Sequence, residues 1–207
     1  MRPAARILLA EADALPAVLE GRPSADFDRP TVCDLWTVRD VLAHCSAALT
    51  ALVSGDTLDF SPEANQLGVD ARRDLSVDEV LDELLGAYTA AATAIDEAAG
   101  AFDGLGLGEW VHGGDVRDAL DVHNAYASAG IDLAVPLVIE RSVERAGPAI
   151  AVDLSDTGES LRFGPGNPTG SLSTDRATFV RLVAGRKPDL ERYELTGVEP
   201  GEMALFG

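Results

Sequence analysis

Residues 35–55 read LWTVRDVLAHCSAALTALVSG. Thr37 stands just before an apolar run and Asp40 follows three positions later. At that spacing a hydroxyl and a carboxylate satisfy each other's backbone donors at a helix start. Val38, Val41, Leu42, Cys45, Leu49 and Leu52 recur at three- and four-residue intervals, as residues on one face of a helix do. Gly55 ends the run. In this register His44 lies between Val41 and Ala48, at the edge of the apolar stripe.

The same pattern extends over the first two-thirds of the chain. Residues 76–100, SVDEVLDELLGAYTAAATAIDEAAG, pair Ser76 with Glu79 as a capping box. Val80, Leu81, Leu84, Tyr88, Ala91 and Ile95 form their stripe, with the acids from Asp78 to Glu83 on a solvated face. Residues 3–20 predict a first helix, kinked or interrupted at Pro16. Ser61 followed by Pro62 predicts a short helix or turn. A further helix is expected from about 108 to 129, closed by Gly130, and another, interrupted near Pro136, reaches Ala146.

Past Gly147–Pro148 the texture changes. AIAVDL, SLRFG, GSLST and RYELTG are short alternating runs separated by Gly, Pro, Asn and Asp. One helix, DRATFVRLVAG, sits among them with Thr174 or Asp175 as its cap. The expected class is α+β, with a helical bundle over 1–147 and a small α/β domain of short strands and one helix over 148–207.

The 207 residues are 46% hydrophobic, enough to bury a core, and carry a formal net charge of −19. So acidic a surface disfavours nucleic acid or an anionic membrane as partner. Two cysteines, Cys33 and Cys45, make neither a disulfide framework nor a cysteine-rich zinc module. The N-terminus is too short in its apolar run and too soon acidic for a signal peptide. No apolar stretch approaches the ~18 residues of a membrane span. A cytoplasmic protein is the expectation.

Candidate chemistry centres on residues 108–120, GEWVHGGDVRDAL. His112 shares a helical stripe with Val116, Ala119 and Leu120, so it points to the core side. Glu109 and Asp115 flank it at −3 and +3, both within reach on a helix. A histidine with acids at these positions is also a common solvated helix pattern. Gly113 and Gly114 argue against that reading. Each costs a helix on the order of 1 kcal/mol, which suggests the close approach of another group. Trp110, a large group at an otherwise polar helix start, argues the same way. His44 and His112 would come from two helices of one bundle, and bundle cores are where facing helices build metal sites. Two imidazoles and a carboxylate suit Zn²⁺ or a similar divalent ion.

Three other features carry less. His123 lies roughly 16 Å along the helix from His112 at ~1.5 Å per residue, too far to share its site. GLGLGE at 104–109 has no strand before it and no Lys, Ser or Thr after it, so it does not read as a phosphate loop. Cys45 fills the apolar stripe, and Cys33 stands in a loop with no base evident for it.

Together, LWTVRDVLAHCSAAL and EWVHGGDVRDAL resemble the mycothiol-dependent maleylpyruvate isomerase family, and the segment ending in LVAGR resembles that family's small C-terminal domain. The resemblance spans nearly the whole chain. It implies a DinB-like four-helix bundle followed by a small α/β domain. It implies a divalent metal, zinc or nickel, held by His44, a glutamate and His112. It implies a low-molecular-weight thiol such as mycothiol as cofactor, and a small, carboxylate-bearing substrate held by Arg186. In the family the glutamate usually lies four residues before the second histidine. Here that position is Gly108, and Glu109 lies at three. Either Glu109 or Asp115 would then supply the carboxylate. The functions to separate are a metal- and thiol-dependent isomerase or transferase, a non-catalytic bundle binding a small ligand or a protein, and a metal-dependent hydrolase.

Overall fold

The computed structural model describes residues 1–33 and 35–206. Among them the chain forms seven α-helices and a four-stranded sheet, in two compact units, 1–129 and 130–207. The class is α+β, as the sequence pattern indicates.

The first unit is a four-helix bundle of α1 (Pro3–Leu19), α2 (Val38–Ser54), α4 (Val77–Glu97) and α5 (Asp103–Ala119), with the short α3 (Pro62–Asp70) against α2. α2 packs on α4, α4 on α1, and α1 on α5, while α5 returns to α2. The caps are those the sequence encodes. Thr37 and Asp40 form a complete capping box on α2, and Ser76 and Glu79 form one on α4. Gly55 closes α2 at a φ of 73°, in the left-handed region that glycine enters without strain. α1 runs through Pro16 to Leu19. Proline costs one backbone bond and some steric strain, and burial of Leu15 and Leu19 on either side outweighs it here.

α5 differs from expectation at both ends. It begins at Asp103 and ends at Ala119, so the GLGLG segment is helical and the residues after Leu120 are turns. Glycine at 106 explains the early start. A Cβ there would stand 2.7 Å from the Ala4 carbonyl oxygen, so only glycine lets α1 approach so closely. Arg2 holds the same junction with two hydrogen bonds to Asp103, of 3.1 and 2.5 Å. The C-terminal turns contain Asp121 and Asn124 at positive φ, conformations these two residue types tolerate best. His123 is exposed in these turns. Trp110, buried on α5, donates its indole N–H to the Ala129 carbonyl at 3.1 Å and so fastens the turn segment to the bundle.

The second unit contains α6 (Ile131–Glu144), β1 (Ile150–Leu154), β2 (Glu159–Phe163), β3 (Gly170–Thr174), α7 (Arg176–Val183) and β4 (Tyr193–Thr196). The sheet order is β2-β1-β3-β4. β1 is antiparallel to β2 and parallel to β3, and β3 is antiparallel to β4. Asp175 caps α7 by accepting from the Thr178 N–H. α6 is continuous through Pro136. It packs on β2 and α7, so the division of the chain falls at Ala129–Gly130, ahead of the change in texture at Gly147–Pro148.

The glycines of α5 separate two kinds of site. A Cβ on Gly114 would lie inside the Tyr126 ring, whereas one on Gly108 would meet nothing within 4 Å. Gly114→Ala is expected to destabilise by about 1–3 kcal/mol through overpacking. Gly108→Ala should stabilise by up to ~1 kcal/mol through helix propensity. Urea unfolding of the two variants measures both, and equal effects would contradict the packing described.

Candidate metal centre between α2 and α5

His44 on α2 and His112 on α5 come together, with ring centroids 5.0 Å apart and planes at 82°. Trp36, just ahead of α2, stacks against the other side of His44 at 4.9 Å. Trp36 also lines a cleft of about 220 Å³ with Leu35, Arg39, Asp40, Gln66, Val69, Asp70 and Arg73, and its indole donates to Gln66 at 3.0 Å. His44 is 8% exposed, and no described residue hydrogen-bonds its ring. Burial, aided by the neighbouring His112, lowers its pKa to about 3, so the imidazole is neutral.

Asp115 is fully buried one helical turn beyond His112. Its Oδ2 accepts from His112 Nδ1 at 3.0 Å and from the Cys33 thiol at 3.2 Å. Its Oδ1 accepts from the Tyr126 hydroxyl. Tyr126 reaches it from the turn after α5, over the face that Gly114 leaves bare. Cys33 Sγ also lies 3.8 Å from His112 Nδ1. Cys33, His112 and Asp115 each offer a ligand atom, all within 4.8 Å of one another. The sequence leaves Cys33 in a loop without a base, and nothing in its spacing links it to residues some eighty positions away. Only the signature of a lone loop cysteine just before a helix that carries a histidine was there to be noticed.

His44 is not part of this trio, and neither is Glu109. Glu109 lies in a second buried group, where it accepts a hydrogen bond from the Cys45 thiol beside Glu11. Glu11 on α1 is paired there with Arg117 on α5, at 2.7 Å. Gly113 exists for this pair, since a Cβ at that position would overlap the Glu11 carboxylate. The two glycines after His112 thus admit two different groups, a carboxylate from α1 and the ring of Tyr126. Of the two candidate carboxylates, the structure brings Asp115 to His112 and turns Glu109 away. Arg186 follows α7 in the second unit, half-buried, and donates to the Ala184 carbonyl at 3.0 Å.

The donor set suits a divalent ion. Sulfur, imidazole nitrogen and carboxylate oxygen of the trio converge within a few ångströms, and His44, outside the trio and without a hydrogen-bond partner among the described residues, packs against His112. A DinB-like helical bundle with a metal-competent cluster between two of its helices is the class that fold and site define. Residues 8–120 match the family model described as the mycothiol maleylpyruvate isomerase N-terminal domain. The match covers more than half of the chain, and the chain belongs to this family. Among solved structures, the chain is similar to the mycothiol-dependent maleylpyruvate isomerase and to a histidine-to-alanine mutant of it. The identities are 16% and 15%, each with a TM-score of 0.62 over 96% of this chain and 94% of the other. These likenesses establish the fold across both units. No curated protein matches the chain. No described helix is long and apolar enough to cross a membrane.

The second buried group predicts a pH dependence. Burial raises Glu11 from 4.5 to about 7, against the opposing pull of Arg117. Burial likewise raises Glu109 from 4.5 to about 8, with the Cys45 hydrogen bond opposing and Glu11 adding to the rise. The folded protein therefore holds protons that the unfolded chain releases, and stability is lost as pH climbs from about 4.5 through 8. The loss accumulates as each carboxyl group ionises in the folded protein. Glu109→Gln keeps the neutral shape and should flatten the fall in Tm between pH 6 and 9. Parallel Tm profiles for parent and variant would contradict the assignment.

Proposed function

We propose that this protein is a metal- and thiol-dependent isomerase or transferase. Its divalent ion, Zn²⁺ or Ni²⁺, would be held by His44, His112 and Asp115. The observation that carries the reading is the approach of two imidazoles from different helices, 5.0 Å between centroids, inside the stretch that the family model matches. His44 is neutral and keeps a ring lone pair available, because burial, aided by His112, disfavours its charged, protonated form. Asp115 fixes the ring of His112, and Tyr126 in turn fixes Asp115. When bound, such an ion lowers the pKa of a thiol ligand and polarises a carbonyl. Trp36 packs against His44 and also lines a polar cleft in which Arg39 and Arg73 stand with Asp40 and Asp70.

The solved relatives are named for mycothiol and for maleylpyruvate isomerisation. We carry both over as the first thiol and substrate to test. On the resemblance alone, Arg186 is the candidate fork for a substrate carboxylate. A second reading, a non-catalytic bundle that binds a small ligand, draws on one observation. Asp115 is already satisfied by Tyr126, His112 and Cys33 without any ion.

Protein purified without chelator should contain about one divalent ion per chain by elemental analysis. His44→Ala and His112→Ala should lose it. If both variants keep the parent's metal content, the proposed ligands are wrong. Loaded protein should isomerise maleylpyruvate only with mycothiol present, and turnover without any thiol would favour a hydrolase. A metal-free parent whose histidine variants lose only Tm would leave the ligand-binding bundle.

A further inference from the structure

The loop ahead of α2 brings a group to the site that the reading above leaves unused. Cys33 is held at both ends of its own peptide unit. Its N–H donates to Thr31 Oγ1 at 3.1 Å, and its carbonyl accepts from the Trp36 N–H at 3.0 Å. The loop is closed by Thr31 N–H to the Trp36 carbonyl at 3.0 Å and by Val38 N–H to the Arg29 carbonyl at 2.9 Å. A backbone pinned in this way delivers Sγ to one place, 3.2 Å from Asp115 Oδ2 and 3.8 Å from His112 Nδ1, atoms that are themselves 3.0 Å apart. Zinc bonds of ~2.0–2.3 Å at tetrahedral angles set sulfur, nitrogen and oxygen donors roughly 3.3–3.6 Å from one another. The three observed separations straddle that range, so an ion needs only small side-chain movements to enter. A further imidazole packs against this trio without belonging to it. His44 is more than nine-tenths buried, has no hydrogen-bond partner among the described residues, and faces His112.

We propose that Cys33 is a ligand of the metal beside His112 and Asp115; His44, outside this trio, would have to shift to join it. The proposal rests on the metal reading above and adds to it a protein sulfur. In the metal-free protein the thiol proton is shared with Asp115. On binding, the S–H bond breaks, the metal–sulfur bond forms and the thiol proton passes to solvent, while the proton on His112 Nδ1 is exchanged through solvent for one on Nε2, so that Nδ1 can bind the ion. A sulfur donor also sets the choice of ion. Thiolate favours Zn²⁺ and Co²⁺ over Mn²⁺ and Mg²⁺, which prefer oxygen.

Cobalt reports the sulfur directly. The Co²⁺-loaded parent should show visible d–d bands together with a near-ultraviolet thiolate-to-cobalt charge-transfer band. Cys33→Ser should abolish the charge-transfer band and weaken cobalt binding by ~100-fold or more. Cys45→Ser is the control and should leave both bands in place, because its thiol faces Glu109. A second measurement needs no variant. Zn²⁺ should slow alkylation of Cys33 in the parent, as read by peptide mass spectrometry. A parent with d–d bands but no charge-transfer band, or alkylation of Cys33 unchanged by zinc, overturns the sulfur ligand and leaves the metal reading intact. No cobalt uptake by the parent overturns both.

Discussion

A carboxylate sealed from water must find its donors inside the protein, because an unpaired buried charge costs several kcal/mol. Asp115 is such a group, and the centre of the bundle is arranged around it. Tyr126 donates to one oxygen, while His112 and Cys33 share the other. Each partner comes from a different local structure: the turn after α5, α5 itself, and the loop before α2. Meeting the demand of one buried group therefore gathers nitrogen, oxygen and sulfur within a few ångströms. A metal centre requires the same gathering.

Glycine makes the arrangement possible. α5 is a poor helix by propensity, with five glycines between 104 and 114. Three of them correspond to a close approach: the Ala4 backbone at Gly106, the Glu11 carboxylate at Gly113 and the Tyr126 ring at Gly114. The intrinsic helix cost is offset by what those approaches allow, a tight α1–α5 junction and two buried polar groups, one on each side of the helix. These groups differ in kind. The Asp115 group collects potential metal ligands. The Glu11, Arg117 and Glu109 group holds two carboxyl groups with one arginine in an apolar setting, where burial favours their protonated forms.

Much of the fold was legible in the sequence, because the features that encode it are local. The capping pairs Thr37–Asp40 and Ser76–Glu79, the Gly55 stop and the alternation in the last sixty residues depend on neighbours within a few positions, and the structure contains each of them. The ends of α5 were not legible. Its start depends on how closely α1 approaches Gly106, and its early stop on left-handed turns at Asp121 and Asn124. The sequence put His112 on the core side of its helix and His44 at the edge of its stripe, and the structure brings the two rings to 5.0 Å.

The sequence by itself determined the α+β class, the bundle helices and the inward direction of His112, since periodicity and caps act over single turns of chain. Only the tertiary structure decided which carboxylate meets His112. Glu109 and Asp115 are equally spaced from it along α5, but they leave the helix on different sides. One side meets Cys45 and Glu11, the other Tyr126 and Cys33. The place of Cys33 was likewise a tertiary matter. A loop residue has no periodicity to reveal its direction, and its neighbours here lie 79 and 82 positions away in the chain.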